Sequence, residues 1–508
     1  MASKGFGMTA HSTGTRFVFG FALTVAASFA APLVRSEPLF ADDPPPVDWR
    51  PSQRTALDAV AMREEQVKRL NRSIWEYAEV GLRETRSSTL LIDALREAGF
   101  EVRDRIAGMP TAFVASYGQG KPVIGILAEY DALPGMSQRV GPAREPQSEG
   151  AAGHACGHSG LGAAAVVAAI AVRESLAKHG IPGTIRLYGT PAEETVIGKV
   201  YMTLDGQFDD LDICLHWHPS DKNGAWASSS KALVSAKFTF SGTPAHASVS
   251  PESGRSALDA VELMNAGANF MREHLPEDAR VHYVITDGGG QPNVVPPTAT
   301  VWYFVRADTH DQVERMFEWL HDIARGAAIM TRTKVASRID TDCHEVIPND
   351  VLSNLLTNQL ERIGAPEFTD EERLFARRLQ EPLRAEFGTR FDEPLDSRVH
   401  RWTSTSEPNR GSTDVGDISW RVPTGGLRTT CFVLGAPGHS WQNVASIGST
   451  IGEKGSLFAA KGLSAAAMEL FEDSRLVAAA REDWTARMKD RSYFSFIPEG
   501  QRAPDAIR

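Results

Sequence analysis

The chain has 508 residues and a formal charge of −11, which is too long for one ordinary hydrophobic core and fits two or three domains of usual size. The composition is that of a soluble globular protein, and no Lys/Arg-rich run supplies the basic stripe a phosphate backbone requires, so nucleic-acid partners are excluded. Four cysteines, Cys156, Cys214, Cys343 and Cys431, are too few for a disulfide framework in a chain of this length.

Residues 1–41 stand apart from the rest as a signal peptide and linker. Lys4 and Arg16 precede an apolar block, 17–31, which is followed by Pro32 and the proline-rich Asp42-Asp43-Pro44-Pro45-Pro46. The block has the length of a signal-peptide core and is short for a membrane span, so the expectation is export, to the periplasm. Ser28-Phe29-Ala30 and Ala41 both offer cleavage sites, and an uncleaved membrane tether is the alternative reading.

Apolar residues recur at helical spacing over 53–77 and 85–98, predicting two amphipathic helices. Runs 101–106, 112–117 and 123–127 read as strands, the third leading into Glu129-Tyr130-Asp131-Ala132-Leu133-Pro134. If that strand continues to Asp131, its two carboxylates point to one side. The helix from about 159 to 179 is apolar on nearly every face, which implies burial against a sheet. Strand 184–189 runs into Pro191-Ala192-Glu193-Glu194, and strand 211–215 into His216-Trp217-His218-Pro219.

Between 231 and 348 the rhythm changes. Strand 232–240, helix 256–273, strands 281–286 and 299–307, helix 310–330 and strand 334–341 form a compact βαββαβ insert with helices on one face of an antiparallel sheet. The main domain, begun over 42–230, resumes over 349–508. There, 366–409 reads as helix plus surface loop, 431–434 as a core strand ending at Pro437-Gly438-His439-Ser440, 454–471 as a helix, and the segment after Ser495 as an extended arm. The fold class that results is α/β: a mixed sheet with helices on both faces, interrupted by a smaller α+β domain.

In Gly153-His154-Ala155-Cys156-Gly157-His158 a thiolate and an imidazole stand two residues apart at a glycine-marked turn, and both are ligands for a borderline-soft divalent metal. Alone, such a triplet is more often a structural feature than a metal site. Glu193-Glu194, His218 and His439 occupy comparable strand-end positions, where open α/β sheets bind ligands. Adjacent glutamates diverge in direction, so one can ligate metal while the other serves as a general base toward an activated water. Donors dispersed from Cys156 to His439 suit a catalytic site assembled by the fold rather than a structural metal cluster.

These motifs, together with Gly242-Thr243-Pro244-Ala245-His246-Ala247 and Ser412-Thr413-Asp414-Val415-Gly416-Asp417, occur in an order that resembles the amidohydrolase branch of the aminoacylase and glutamate-carboxypeptidase metallopeptidases. The likeness covers about 50–498. It implies a di-metal peptidase domain, with the insert as its lid or dimerisation domain. Cys156, His158, Glu194, His218 and His439 match the family's metal ligands, with His218 preferred to His216 by its spacing from Asp212. Glu193 matches the catalytic base and Asp131 the aspartate behind the metal-facing histidine. His246 matches a histidine that reaches a catalytic cleft, often across a dimer, and Asn293 a substrate-contacting asparagine. Asp414 and Asp417 resemble the branch's acidic motif, for which capping and turn roles are an equal reading. The chain departs from wider relatives in having Glu129 where they place a metal histidine.

The resemblance implies hydrolysis of the amide bond of N-acyl or N-aroyl amino acids, such as an aminobenzoyl-glutamate-like compound, or of a dipeptide. It also implies two divalent metal ions, Mn2+ or Zn2+, in a homodimer or a hetero-oligomer with a related subunit. A catalytically silent ligand-binding or partner subunit of a hetero-oligomeric hydrolase is the other reading. Arg306, Arg410 and Arg428 could each clamp a substrate carboxylate, and the sequence leaves open which does.

Overall fold

A computed structural model describes residues 48–388, 392–405 and 409–504; the expected export segment, 1–41, lies outside them. Among the described residues twelve strands form two sheets. They are β1 (Glu101–Asp104), β2 (Phe113–Gln119), β3 (Val123–Ala128), β4 (Gly183–Gly189), β5 (Ile213–Ser220), β6 (Asn223–Trp226), β7 (Ala232–Ser241), β8 (Arg280–Asp287), β9 (Thr298–Ala307), β10 (Lys334–Cys343), β11 (Val399–His400) and β12 (Thr424–Thr430).

The larger sheet has the order β1-β2-β4-β3-β5-β12-β6-β11. Its centre is parallel, β3 pairing with β4 and β5, and β5 with β12; β1 with β2, β2 with β4, and β6 with β12 are antiparallel. Central strands buried on both faces send alternate residues to two cores. Ile185 and Leu187 join the core under helix His158–His179, while Tyr188 turns to a second core with Phe208, Leu211 and Val200. Helix His158–His179 is apolar and buried along its first fifteen residues, wedged between the sheet and helices Pro51–Met62, Glu64–Tyr77 and Thr450–Glu472. Each Val, Leu or Ile side chain so buried contributes roughly 1.5–3 kcal/mol.

The insert is a four-stranded antiparallel sheet, β10-β7-β9-β8, with helices Ala257–Arg272 and His310–Thr331 packed on it around a core of its own. This is the βαββαβ arrangement expected from the alternation of its strands.

Three expectations are corrected. The helix predicted over 53–77 is two, Pro51–Met62 and Glu64–Tyr77, because Arg63 leaves helical geometry and turns its guanidinium to Glu174 and the Ala59 carbonyl. The strand expected over 211–215 runs on through His216-Trp217-His218 to Ser220, with Trp217 facing the helix core. The strand expected at 431–434 lies earlier, at Thr424–Thr430. Its glycines carry no apolar signal yet are required: a Cβ at Gly426 would lie 2.2 Å from the His216 ring, and one at Gly425 2.6 Å from Leu352.

Candidate metal centre

Gly157 makes the first half of the centre. Its φ of 83° is left-handed, and a Cβ there would sit 2.9 Å from Pro219 and Phe432, so only glycine lets Cys156 and the first helical residue, His158, lie side by side. His158 Nδ1 is 2.9 Å from Asp131 Oδ1, which leaves Nε2 as the free ligand atom. β3 ends at Ala128, close to the expected 123–127, so the condition for Glu129 and Asp131 to share one side, a strand continuing to Asp131, is not met. Glu129 and Asp131 instead approach opposite nitrogens of one imidazole, Glu129 Oε2 standing 3.2 Å from Nε2.

His218 on β5 donates from Nδ1 to the Pro219 carbonyl at 2.7 Å, fixing the tautomer that turns Nε2 toward the Cys156 sulfur, 3.3 Å away. His216 lies two residues back against Trp226 and Gly426 and stays outside the donor groups. The structure thus brings His218 rather than His216 to the centre.

Glu193 and Glu194 sit on a turn between two residues of left-handed backbone, Ala192 (φ 56°) and Val196 (φ 51°). Such geometry costs about 1–3 kcal/mol per non-glycine residue and persists only where the surroundings hold it. Here two carboxylates hold it from behind: Glu84 accepts the Ala192 N–H at 2.8 Å and Asp131 Oδ2 accepts the Glu194 N–H at 2.9 Å. Glu194 Oε2 reaches His439 Nε2 at 3.4 Å. His439 is itself left-handed (φ 58°), in a loop that Asn443 ties through the Pro437 carbonyl and that Ser440 ends by capping helix Trp441–Ile447.

Among the described residues three donor groups result, Cys156/His158/His218, Cys156/Glu194/His439 and Glu129/His158/Glu193, the ligand atoms of each lying within 4.8 Å of one another. Among the described residues His158 Nε2, Glu129 Oε2 and Glu194 Oε1 are buried without a hydrogen-bond partner. Orphaned lone pairs of this kind are costly unless something takes them up, and thiolate, imidazole and carboxylate at this spacing fit divalent metal ions. Burial, with the Glu194 charge beside it, pushes the Cys156 thiol up; burial raises Glu194 to about 8 and Glu193 well above the carboxylate range. Burial and the neighbouring His158 push His218 down to about 4, keeping it neutral. Cation uptake at this centre therefore releases protons.

Lys199 and Glu84 are site residues that the sequence reading missed. Lys199 is fully buried, 2.8 Å from Glu129 and 2.7 Å from Asp414; its one signal was a lone charge in the apolar run Val196–Met202. Of the acidic motif, Asp414 meets Lys199, whereas Asp417 accepts the Tyr493 hydroxyl and faces His344, away from the centre.

The donors open on a cleft of about 450 Å³ whose walls include Trp226, Phe304 and Phe432. Arg306 and Arg428 line it; Arg410 is not among its lining residues. Arg428 pairs in register with His218 and stacks on Trp226 at 4.1 Å, and Arg306 Nε is buried with no hydrogen-bond partner among the described residues. His246 and Asn293 come together on the insert, where the Ala247 N–H donates to the Asn293 carbonyl at 2.9 Å, but neither lines the cleft of its own chain.

Residues 228–329 match the family model described as a peptidase dimerisation domain. The chain is 40% identical over 464 residues to the B subunit of p-aminobenzoyl-glutamate hydrolase from Escherichia coli (strain K12), covering 87% of this chain and 96% of that one. It is 27% identical to the Xaa-Arg dipeptidase of Mus musculus, over 86% and 93% of the two chains. Among solved structures, a Bacillus subtilis protein described as a dinuclear metal binding peptidase from the M20 family shares the fold with a TM-score of 0.52, at 17% identity over 81% and 99% of the chains. With these likenesses spanning both the donor cluster and the insert, the chain belongs to the amidohydrolase branch of the M20 metallopeptidase family, hydrolases of amide bonds.

Proposed function

We propose that the protein hydrolyses N-acyl or N-aroyl amino acids, aminobenzoyl-glutamate-like compounds among them, with Glu193 as general base. The observation that carries this reading is the position of Glu193. Its carboxylate lies 3.8 Å from His158 Nε2 and lines the cleft, and His158 is its only charged partner within ion-pair distance among the described residues. A base so placed has an oxygen free for a proton.

Zn2+ or Mn2+ held by Cys156, His158, His218, Glu194 and His439 would polarise the scissile carbonyl and make a water acidic enough to attack at neutral pH. Glu193 takes the proton of the attacking water and delivers it to the leaving amine. Asp131 keeps His158 in the tautomer that presents Nε2. Arg306 and Arg428, which make no ion pair among the described residues, receive the substrate carboxylate, and Trp226, Phe304 and Phe432 pack on the acyl or aroyl group. His246 and Asn293, exposed on a dimerisation module, reach a substrate from the insert of a second subunit, either another copy or a related chain.

A silent partner subunit would have no use for Glu193, and nothing in the site favours that reading. Glu193→Ala should lower kcat by roughly 10²–10⁴-fold while bound metal stays at the wild-type level. Turnover of an N-aroyl amino acid panel and elemental analysis test this together, and wild-type activity in the variant would remove Glu193 from its role. Export rests on the apolar block 17–31, and the division into 42–230, 231–348 and 349–508 on the change of rhythm at the insert. N-terminal sequencing of periplasmic protein and limited proteolysis test these two readings.

A further inference from the structure

Lys199 takes no part in the chemistry above, yet the fold buries it completely beside the donors. Its Nζ lies 2.7 Å from Asp414 Oδ1 and 2.8 Å from Glu129 Oε1, and its backbone N–H donates to Asp414 Oδ2 at 2.8 Å. One residue thus clamps both oxygens of Asp414. Glu129 is different: Lys199 holds only Oε1. Among the described residues Oε2 is buried with no hydrogen bond and stands at ion-pair distance, 3.2 Å, from His158 Nε2, which makes no hydrogen bond either.

An ion triad present only for packing would have its buried oxygens satisfied, because an unpaired one costs more than the pair gains. Here the oxygen and the nitrogen face each other at ion-pair distance without hydrogen-bond geometry, and with Glu193 the ligand atoms lie within 4.8 Å of one another. Ligand atoms about 2.0–2.2 Å from a shared cation stand roughly 3–4 Å apart, the spacing Glu129 and His158 already have.

We propose that Lys199, anchored on Asp414, is a positioning residue of the metal centre: it pins one oxygen of Glu129 so that the other serves as a further donor beside His158. The inference rests on the metal reading of the site. It makes the two ends of the cluster unequal, with an additional anionic donor at the buried end.

Chelator-stripped wild type, Glu129→Gln, Lys199→Met and Lys199→Arg would be titrated with Mn2+ and with Zn2+ by calorimetry. Metal equivalents would come from elemental analysis and folding from circular dichroism. Wild type should take up two ions. Glu129→Gln, nearly isosteric, should fold and lose about 10- to 100-fold in affinity for one ion only. Lys199→Met should show the same loss and Lys199→Arg should restore part of it, a rescue that a packing role would not produce in metal affinity. A folded Glu129→Gln that binds both ions as wild type does would overturn the proposal. If Lys199→Met does not fold, Glu129→Gln decides by the same criterion. Wild type that binds no divalent cation would instead overturn the metal reading itself, and this inference with it.

Discussion

At the buried end of the donor cluster each group is tied from behind, His158 by Asp131 and Glu129 by Lys199, with His158 and Lys199 side chains wholly inside the protein. At the cleft end His439 hangs on a loop with its side chain 54% exposed, meeting Glu194 across 3.4 Å. One end is fixed by the core before any cation arrives; the other is shaped by a loop and closed by whatever binds. A hydrolase needs both, since a metal position with every ligand preset has no room for substrate.

The sulfur of Cys156 joins the two ends, so its loss should have the largest effect. Cys156→Ser is expected to strip both ions and to lower turnover by more than the roughly 100-fold typical of outer ligand-shell changes. A variant that keeps one full metal equivalent would separate the ends. Asp131→Asn attacks the buried end alone: a 10- to 100-fold loss of metal affinity with the fold retained is expected, read by calorimetry and circular dichroism. Arg428→Met attacks the cleft end alone and should raise KM for an N-aroyl-glutamate about tenfold or more with metal content unchanged, the scale of a charged hydrogen bond. Equal KM values would return Arg428 to the role of a packing partner for Trp226.

The smallest expected effect is on stability against pH. Burial raises both Glu84 and Glu194 to about 8 from 4.5. The protonated carboxyls favour the folded, metal-free protein below pH 4.5, and that contribution is lost as pH rises through 8. Cations compete with the proton on Glu194, so added metal should raise Tm more at pH 8 than at pH 6. Thermal melts of chelator-treated protein check the sign; a metal-free Tm that climbs from pH 6 to pH 8 would contradict it.

The donors were legible in the sequence because each stands at a break in an apolar pattern, where periodicity stops and polar residues accumulate. Cys156, His158, Glu194, His218 and His439 fall in overlapping donor groups, while the choice of Glu194 over Glu193 and of His218 over His216 as ligands came from the family likeness. What the pattern hid was support. Lys199 and Glu84 are buried charges whose partners, Asp414 and the Ala192 backbone, are far along the chain, and no local spacing relates them. β12 escaped notice for a related reason. Its Gly425 and Gly426 are dictated by Leu352 and His216 pressing on them from other elements, so the strand carries almost no local propensity. His246 and Asn293 were read from likeness alone, and within one chain they stand apart from the cleft.

His158 is the first residue of a helix that stays inside the core to Val172. A ligand mounted there cannot drift without repacking the domain, so new substrate ranges on this scaffold have to arise elsewhere. Random libraries confined to 409–413 and 436–438, around the mouth of the cleft, should yield soluble clones with altered selectivity. Libraries of equal size in 158–172 should yield mostly inclusion bodies.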